Sequence, residues 1–220
     1  MLAKNELLED IVESLGNAPP IDGQVMHNFF GIDLVQYGLY DLQRLSSLLS
    51  EVWLATRLRE VQQATNSKLI INPIPNGVEV SPYKYDYYGQ NLTVHNHNHR
   101  SYPVQEFDVI CLVDDLPVVF EIKLGMYKSN GVKTANTRVS GLMRDSSVKQ
   151  KLGPVRHFYR NSAIGYVLVI YPEQITRHSP IQRAFTENGG HIIPFYTDQH
   201  TYTTFEVPSL IREYAIPIYD

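Results

Sequence analysis

Residues 106–125 read EFDVICLVDDLPVVFEIKLG, and most of them are apolar, with many β-branched side chains. Two such runs separated by a short polar segment predict a pair of buried strands joined by a turn. Charged side chains nevertheless stand inside both runs, at Glu106, Asp108, Glu121 and Lys123. Because ionisable groups are rarely buried without a partner, their position calls for a chemical explanation.

The pairing of the two strands predicts where these charges lie. We take Asp114–Asp115 as a two-residue turn. In that register Asp108 lies opposite Glu121, and Glu106 lies opposite Lys123. Side chains alternate along a strand, and directly opposed Cβ atoms are about 4.5–5.5 Å apart, so all four charges are expected on one patch of one face. The side chains expected to point the other way, into the core, are Phe107, Val109, Val118, Phe120 and Ile122.

Composition bounds the class of protein. The chain has 220 residues, 43% of them hydrophobic and 19% charged, which suits one well-buried domain. Its one cysteine, Cys111, excludes an internal disulfide framework and suits a reducing compartment. No apolar run reaches about 18 residues, so no membrane span is expected. The opening MLAKNELLEDIVESL is acidic and amphipathic, unlike a secretory signal, and we therefore expect a cytoplasmic protein.

Charge is distributed unevenly along the chain. The net charge is −4, but residues 123–160 hold nine Lys or Arg against the single acid Asp145. That segment therefore carries +8, which leaves −12 for the remainder. A concentrated basic segment indicates an anionic partner more strongly than the total charge argues against one.

The order of the predicted elements indicates an α/β fold in which helices flank a mixed β-sheet. We treat residues 1–220 as a single domain, with 1–38 as an N-terminal helical extension and the core at about 39–200. The predicted elements are a helix over 2–15, a helix over about 39–64, strand-and-turn material over 66–100, strands over about 105–113 and 117–124, a loop over 128–137, a helical stretch over about 139–161 that breaks or kinks at Gly153–Pro154, a strand over 163–171, a short helix between Ser179 and Gly189, and a strand over 191–196.

The charged patch has a chemical interpretation. Two carboxylates this close repel each other unless one is protonated or a cation binds both. Mg²⁺ prefers oxygen ligands and is often shared between carboxylates and a substrate phosphate. With the ammonium of Lys123 beside Asp108 and Glu121, the pattern favours metal-assisted hydrolysis of a phosphodiester. The alternative is a cross-strand salt pair between Glu106 and Lys123 at a sheet edge, with Asp108 an ordinary strand-end residue.

The spacing of the site residues resembles a known signature. Asp108, twelve intervening residues and then Glu121–Ile122–Lys123 are similar to the pattern of the PD-(D/E)XK nuclease superfamily, which has the restriction-endonuclease-like fold. Apolar residues precede both acids, in EFDVI and VVFEIK. A helix with an early glutamate, SEVWLATRLREV, lies upstream, and a basic helix and an apolar strand lie downstream, so the resemblance covers about 46–196. The chain departs from the pattern before the aspartate, where Val104–Gln105 or Phe107 stands instead of a proline.

The resemblance implies a role for each matching residue. Mg²⁺, with Mn²⁺ as a second choice, is the expected cofactor. The expected metal ligands are Asp108, Glu121 and the main-chain carbonyl of Ile122. Lys123 is expected to position or activate water. Glu51 matches the family's helical acid and would assist through water or as a further ligand. The alternatives are that Glu51 is a solvated helix residue and that Glu60 is the acid that acts.

The basic segment supplies the candidate nucleic-acid-binding residues. Several of them recur at helical spacing and could follow a phosphate backbone, with binding that weakens steeply as salt increases. For any single residue, solvation on an exposed surface is the alternative. The candidates are Lys128, Lys133 and Arg138 on the loop, and Arg144, Lys149, Lys151, Arg156 and Arg160 in the helical stretch.

Histidines offer a weaker signal. In VHNHNHR, residues 94–100, His95, His97 and His99 would share one face of a strand, where three imidazoles could hold a transition metal. A solvent-facing loop or strand is the expectation. The letters HNH also name another class of nuclease, but that motif is dispersed in a different fold and the string is a coincidence. His157 is interpreted as an ordinary helix histidine rather than a proton-transfer group.

Taken together, these patterns predict a Mg²⁺-dependent endonuclease, a hydrolase of phosphodiester bonds, with DNA favoured over RNA as partner and no membrane partner. Two alternatives stay open. One is a catalytically inactive module of the same fold that binds nucleic acid or a protein. The other is an interaction protein, a homodimer included, whose charges form surface pairs.

Overall fold

The computed structural model describes residues 2–18, 53–64, 68–89, 91–96, 99–123, 139–160, 163–170, 175 and 179–195. These residues form helices and two β-sheets around buried apolar side chains. In chain order the elements are α1 (Glu6–Gly16), α2 (described over 53–64), β1 (Leu69–Ile71), β2 (Val78–Val80), β3 (Tyr83–Tyr88), β4 (Asn91–Asn96), β5 (His99–Phe107), β6 (Val109–Val113), β7 (Leu116–Lys123), α3 (139–142), α4 (Asp145–Tyr159), β8 (Gly165–Ile170), α5 (Pro180–Glu187) and β9 (Gly190–Pro194).

The strands divide into two sheets. The larger has the order β1-β6-β7-β8-β9, and the smaller, in which every pair is antiparallel, has the order β2-β3-β4-β5. In the larger sheet β1, β6 and β7 pair antiparallel, whereas β8 and β9 run parallel to β7. The prediction of an α/β fold with a mixed sheet and flanking helices is confirmed at that level. The separate antiparallel sheet was not predicted.

The larger sheet is covered on both faces, which explains the continuous apolar runs of its central strands. On one face Val118 and Phe120 of β7 pack in a cluster with α1 and α2. On the other face Val119 packs in a second cluster with α4 and the smaller sheet. Every residue of β8 is buried. The strand that carries the predicted charges therefore lies at the centre of the fold.

The predicted hairpin register is confirmed where β6 and β7 pair. Val109 lies opposite Phe120, and Val113 lies opposite Leu116. Asp114 and Asp115 form the turn with positive φ angles of 48° and 65°. This backbone is typical of the two-residue turns whose twist matches that of the flanking strands. The turn chemistry and the period-two pattern were sufficient to fix this part of the structure.

The prediction that Glu106 lies opposite Lys123 is wrong. The chain bends at Asp108, and the residues before it belong to β5 of the smaller sheet, where Glu106 lies opposite Thr93. Phe107 packs in the second cluster, not in the same one as Val109. The reason is that the hairpin ladder ends at Val109, so the alternation of faces does not continue through the bend.

The first helix packs against the larger sheet. Leu8, Ile11 and Leu15 are buried against the larger sheet. Asn5 accepts a hydrogen bond from the backbone N–H of Leu8 at 2.8 Å, and its side-chain amide donates to the carbonyl of Val113 at 2.8 Å. One residue therefore caps the helix and ties it to the end of β6. The division of the chain into a helical extension over 1–38 and a core at about 39–200 stays a prediction.

The helical stretch over 139–161 is broken at a different place from the one predicted. It consists of α3 and α4, separated at 143–144, and α4 continues through Pro154. A proline inside a helix removes a backbone hydrogen bond. Packing compensates here, because Leu152 and Val155 are buried and the hydroxyl of Tyr85 donates to the carbonyl of Pro154 at 2.8 Å.

The C-terminal part of the described chain follows the prediction closely. Ser179 caps α5, its hydroxyl accepting a hydrogen bond from the N–H of Gln182 at 3.4 Å, and Pro180 opens the helix. Gly189 follows the helix with φ of 95°, and β9 then runs parallel to β8. Among the described residues, no helix is both long and apolar enough to cross a membrane.

The burial of His191 predicts that the stability of the fold depends on pH. It is buried on β9, and its Nε2 has no hydrogen-bond partner among the described residues. Burial lowers the pKa of this imidazole; Glu9 opposes the change and Lys4 adds to it. Because the unfolded state then binds the proton more readily, this contribution to stability is complete above the unfolded pKa of about 6.5 and is lost as pH falls below it.

We therefore expect His191→Gln to be less sensitive to acid than the wild type. The difference in urea unfolding midpoint between pH 7.5 and pH 5.5 should be smaller in the variant, because glutamine does not titrate. Carboxylates elsewhere contribute equally to both proteins and cancel in the comparison. Equal pH sensitivity in the two proteins would show that His191 is not the titrating group.

Candidate active site

Asp108 is held at the bend between the two sheets by a backbone contact. Its Oδ2 accepts a hydrogen bond from the N–H of Ile122 at 2.6 Å. The carboxylate thus satisfies a backbone donor of β7 beyond the point where β6 stops pairing with it. This contact fixes Asp108 next to Glu121 and Lys123, the residues on either side of Ile122.

The structure brings together three of the residues predicted to form the site. The Nζ of Lys123 lies 2.7 Å from Oε1 of Glu121 and 3.9 Å from Oδ2 of Asp108. The ammonium therefore contacts a carboxylate from each of the two adjoining segments. Asp108 is mostly buried and Glu121 almost wholly so, whereas 39% of the Lys123 side chain is exposed. The ammonium of Lys123 can thus contact solvent, whereas the two carboxylates lie in the interior.

A fourth residue joins this cluster from α4. Lys151 Nζ lies 3.0 Å from the same Glu121 oxygen, Oε1, and donates a hydrogen bond to the carbonyl of Glu106. It also lies 5.0 Å from the ring centroid of Phe107, in the position of a cation–π contact. Only 15% of its side chain is exposed. Lys151, which was predicted to follow a phosphate backbone, is thus in contact with a carboxylate of the cluster.

A sequence signal for the position of Lys151 exists. It stands three residues after Val148 and four before Val155, both buried on α4. Residues at these spacings share a helix face, so Lys151 interrupts the apolar stripe that packs against the sheet. A lysine within such a stripe reaches either a buried anion or, by extending along the surface, water. The net charge of the segment does not show which face of the helix a lysine occupies, so the inward position of Lys151 was not predicted.

Glu121 is the most deeply buried charged group of the cluster. Its side chain is 1% exposed, and a buried carboxylate is costly unless it is paired. Lys123 and Lys151 both bind its Oε1, which keeps the charge compensated. Its other oxygen, Oε2, is buried and has no hydrogen-bond partner among the described residues. A buried oxygen that accepts no hydrogen bond from the described residues is suited to bind a further ligand.

Tyr166 of β8 borders the acids. Burial raises the pKa of its hydroxyl well above the usual range, and the negative charges of Glu121 and Asp108 raise it further. The phenol therefore remains neutral at physiological pH, and it adds no negative charge to the two carboxylates. Its hydroxyl has no hydrogen-bond partner in the described part of the chain. Sequence reasoning did not find this residue, which reads as one more position of an apolar strand.

The cluster contains oxygen atoms of the type that hard divalent cations bind. Mg²⁺ prefers carboxylate and carbonyl oxygens, which Asp108, Glu121 and the main chain of Ile122 supply. Oε2 of Glu121, which has no hydrogen-bond partner among the described residues, is one such oxygen. No group of three His, Cys, Asp or Glu placed to hold a metal occurs within the described ranges. Two acids are enough for Mg²⁺, which commonly keeps several waters. The predicted helical acid, Glu51, lies outside the described residues.

The remaining basic candidates are distributed differently. Arg144 and Arg160 flank α4 and are exposed, and Lys149 is exposed and pairs with Asp145 at 2.6 Å. Arg156 is partly buried, with its Nε lacking a hydrogen-bond partner among described groups. The three loop candidates, Lys128, Lys133 and Arg138, lie outside the described residues.

The histidines do not form a described cluster. His95 lies on β4 with a buried Nδ1, whereas His97 and the side chain of His99 fall outside the described part. His157 contacts the carbonyl of Ser81 through Nε2 at 2.7 Å, as expected of an ordinary helix histidine. Glu60, the competing acid of α2, pairs with Arg57 at 2.9 Å on an exposed surface.

Comparisons of the chain with protein-family models, with curated proteins and with solved structures found no match.

Proposed function

We propose that this protein is a Mg²⁺-dependent endonuclease that hydrolyses phosphodiester bonds in nucleic acid, with DNA as the preferred substrate. The observation that carries the proposal is the convergence of Asp108, Glu121 and Lys123, with Lys123 Nζ within 2.7 Å of one acid and 3.9 Å of the other. Metal-assisted hydrolysis of a phosphodiester can use two carboxylates as metal ligands and a nearby ammonium to stabilise negative charge.

The proposed fold is restriction-endonuclease-like. Its support is the order of elements around the acids: an antiparallel hairpin, β6–β7, is followed by α4 and then by β8, parallel to β7. The first acid stands at the bend before the hairpin, and the second stands near the end of β7. This is the context in which the signature residues of that superfamily are expected.

Each residue has a role in the proposed reaction. Asp108, Glu121 and the carbonyl of Ile122 hold the cation, Mg²⁺ or Mn²⁺. When bound, such a cation polarises a phosphate oxygen and lowers the pKa of bound water. Lys123 orients the attacking water or binds a non-bridging oxygen of the scissile phosphate. Its partial exposure beside the buried acids supports this role, since a substrate phosphate could approach the ammonium from solvent.

The exposed cations near the ends of α4 extend the proposal to the substrate. Arg144, Lys149 and Arg160 lie at the surface of the helix that also carries Lys151 into the site. Contacts with phosphates on both sides of the scissile bond would position nucleic acid without reading its sequence. Such binding is expected to weaken as salt increases. A cytoplasmic location suits the one cysteine of the chain, Cys111, which is free and buried.

The proposal is tested by the dependence of cleavage on the cation and on Asp108. Supercoiled plasmid, linear duplex, single-stranded DNA and RNA are incubated with the protein in Mg²⁺, Mn²⁺ or EDTA. We expect nicking or degradation of DNA with either cation and none with EDTA. Asp108→Asn should reduce the rate by about 10²-fold or more, because asparagine still accepts the hydrogen bond from Ile122 but contributes no charge.

A matched control separates this effect from a general loss of an acid. Asp86→Asn also removes one partner of an ion pair on a strand, since Asp86 binds Lys84 at 2.8 Å in the smaller sheet. Its cleavage rate should equal that of the wild type. Absence of cleavage of every substrate by the folded wild type, or full activity of Asp108→Asn, would refute the proposal.

One observation favours a second candidate, a catalytically inactive module that binds nucleic acid. Lys123 and Lys151 both contact Oε1 of Glu121, so the acid is compensated by the chain's own cations. For such a module the same assays give salt-sensitive binding of DNA by electrophoretic mobility shift, with no cleavage in Mg²⁺ or Mn²⁺.

A further inference from the structure

We propose that Lys151 is a positioning residue of this site: it remains the counter-ion of Glu121 throughout the reaction and so allows Lys123 to leave Glu121 for the substrate. This inference rests on the proposed nuclease function and deepens it. The two ammonium groups are chemically identical, and both lie within 3.0 Å of the same Glu121 oxygen. In this proposal Lys151 is the fixed partner of that oxygen and Lys123 the exchangeable one.

The difference in exposure is the first observation. The side chain of Lys151 is 15% exposed and that of Lys123 is 39% exposed. An ammonium near solvent can change partners at small cost, because water replaces the contact that it loses. An ammonium in the interior has no such replacement. Exposure therefore favours movement of Lys123 and retention of Lys151.

The second observation is how Lys151 is anchored. An ammonium group has three N–H donors, and those of Lys151 reach the carboxylate of Glu121 and the carbonyl of Glu106. The ring of Phe107 lies beneath its charge. Glu106 and Phe107 directly precede Asp108, so Lys151 contacts both segments that carry the acids. Movement of α4 or of this lysine would disturb the spacing of the two carboxylates.

The third observation concerns the two oxygens of Glu121. Lys151 binds Oε1, and Oε2 is the buried oxygen without a hydrogen-bond partner among the described residues. As long as one oxygen is held from α4, the orientation of the other is fixed. If Lys123 were the only lysine that bound Oε1, its departure to a phosphate would leave that oxygen without an ammonium to hold it in place. Lys151 prevents this, because it binds Oε1 both before and after Lys123 leaves.

Direct observation of the two ammonium groups tests the division of roles. The ¹⁵N–¹H signals of lysine side chains are recorded for the full chain alone, with Ca²⁺, and with Ca²⁺ and a short DNA duplex; Lys151→Met and Lys123→Met provide the assignments. We expect the signal of Lys123 to shift on addition of Ca²⁺ and DNA. The signal of Lys151 should persist unchanged in its hydrogen-bonded form. A shift of Lys151 with Lys123 unaffected overturns the inference.

Kinetics distinguish a positioning role from contact with DNA. Lys151→Met is expected to lower kcat by about 10- to 100-fold, as partners of metal ligands do when replaced, with KM for DNA within about twofold. A lost phosphate contact would instead raise KM and reduce the slope of log K against log salt by about 0.9. Lys151→Arg keeps the charge and the donors and should recover most of kcat, which a purely steric role would not predict.

The outcomes separate this inference from the proposed function. Lys84→Met removes the lysine of another strand ion pair and should leave kcat unchanged. If the wild type cleaves DNA and Lys151→Met has wild-type kcat, the inference is wrong and the nuclease proposal stands. If the folded wild type neither cleaves DNA nor responds to Ca²⁺ in either lysine signal, both are wrong.

Discussion

Lys123→Met is expected to reduce the rate of DNA cleavage by about 10²- to 10³-fold while changing the free energy of unfolding by no more than about 0.5 kcal/mol. The two effects separate because of where this lysine lies. More than a third of its side chain is exposed, and ion pairs of exposed groups contribute little to stability. Glu121 also keeps Lys151 as a counter-ion in the variant. Methionine preserves the unbranched stem and removes only the charge.

The measurement combines single-turnover cleavage of a labelled duplex with urea unfolding of the same preparations. Lys84→Met is the matched control, since Lys84 pairs with Asp86 two residues further along β3, as Lys123 pairs with Glu121 two residues before it on β7. The control should have wild-type cleavage and nearly wild-type stability. Cleavage by Lys123→Met at the control rate would contradict the role given to Lys123. A large loss of stability would contradict the account of its exposure.

The part of this site that could be predicted from the sequence depends on local rules. The turn at Asp114–Asp115 and the alternation along two apolar strands specify the hairpin register, and the register brings Glu121 near Asp108. Neither step requires knowledge of any distant part of the chain. The helix opened by Ser179 and Pro180 was predicted for the same reason, because its start signals are short and specific.

What could not be predicted depends on contacts between distant segments. Whether the strand before Asp108 continues in the same sheet or enters another is decided by its pairing with β4, and periodicity is the same in both cases. Glu106 was consequently placed in the charged patch opposite Lys123, whereas its described contact with the site is made by its carbonyl, through Lys151. The inward position of Lys151 likewise depends on packing of α4 against β7, which net charge along the segment does not reveal.

The continuation of α4 through Gly153–Pro154 also depends on contacts between distant segments. Gly153–Pro154 has the sequence of a helix breaker, yet α4 continues through it because Leu152 and Val155 are buried in the second cluster. Intrinsic propensity acts over a few residues, and tertiary packing can exceed it. The same burial places the helix against β7 and so delivers Lys151 to Glu121.

Glu121→Leu and Lys151→Met are expected to be strongly coupled in stability. Each single change removes one partner of a buried pair, and leaving a buried charge unpaired costs about 3–5 kcal/mol. We expect Glu121→Leu to cost about 3 kcal/mol, near the low end of that range, because Lys151 retains the carbonyl of Glu106. Lys151→Met should cost less, since Glu121 retains Lys123.

The double variant removes both charges and fills their space with apolar side chains, which is often neutral for stability. We therefore expect its free energy of unfolding to lie within about 1 kcal/mol of the wild-type value, well above that of Glu121→Leu alone, although the protein cleaves no DNA. A second cycle, Glu121→Leu with Lys123→Met, serves as the control and should show a coupling of about 0–1 kcal/mol. Urea unfolding of all the variants measures both couplings. Equal coupling energies in the two cycles would mean that Lys151 and Lys123 compensate Glu121 to the same extent, and the distinction between a fixed and an exchangeable lysine would then have no energetic basis.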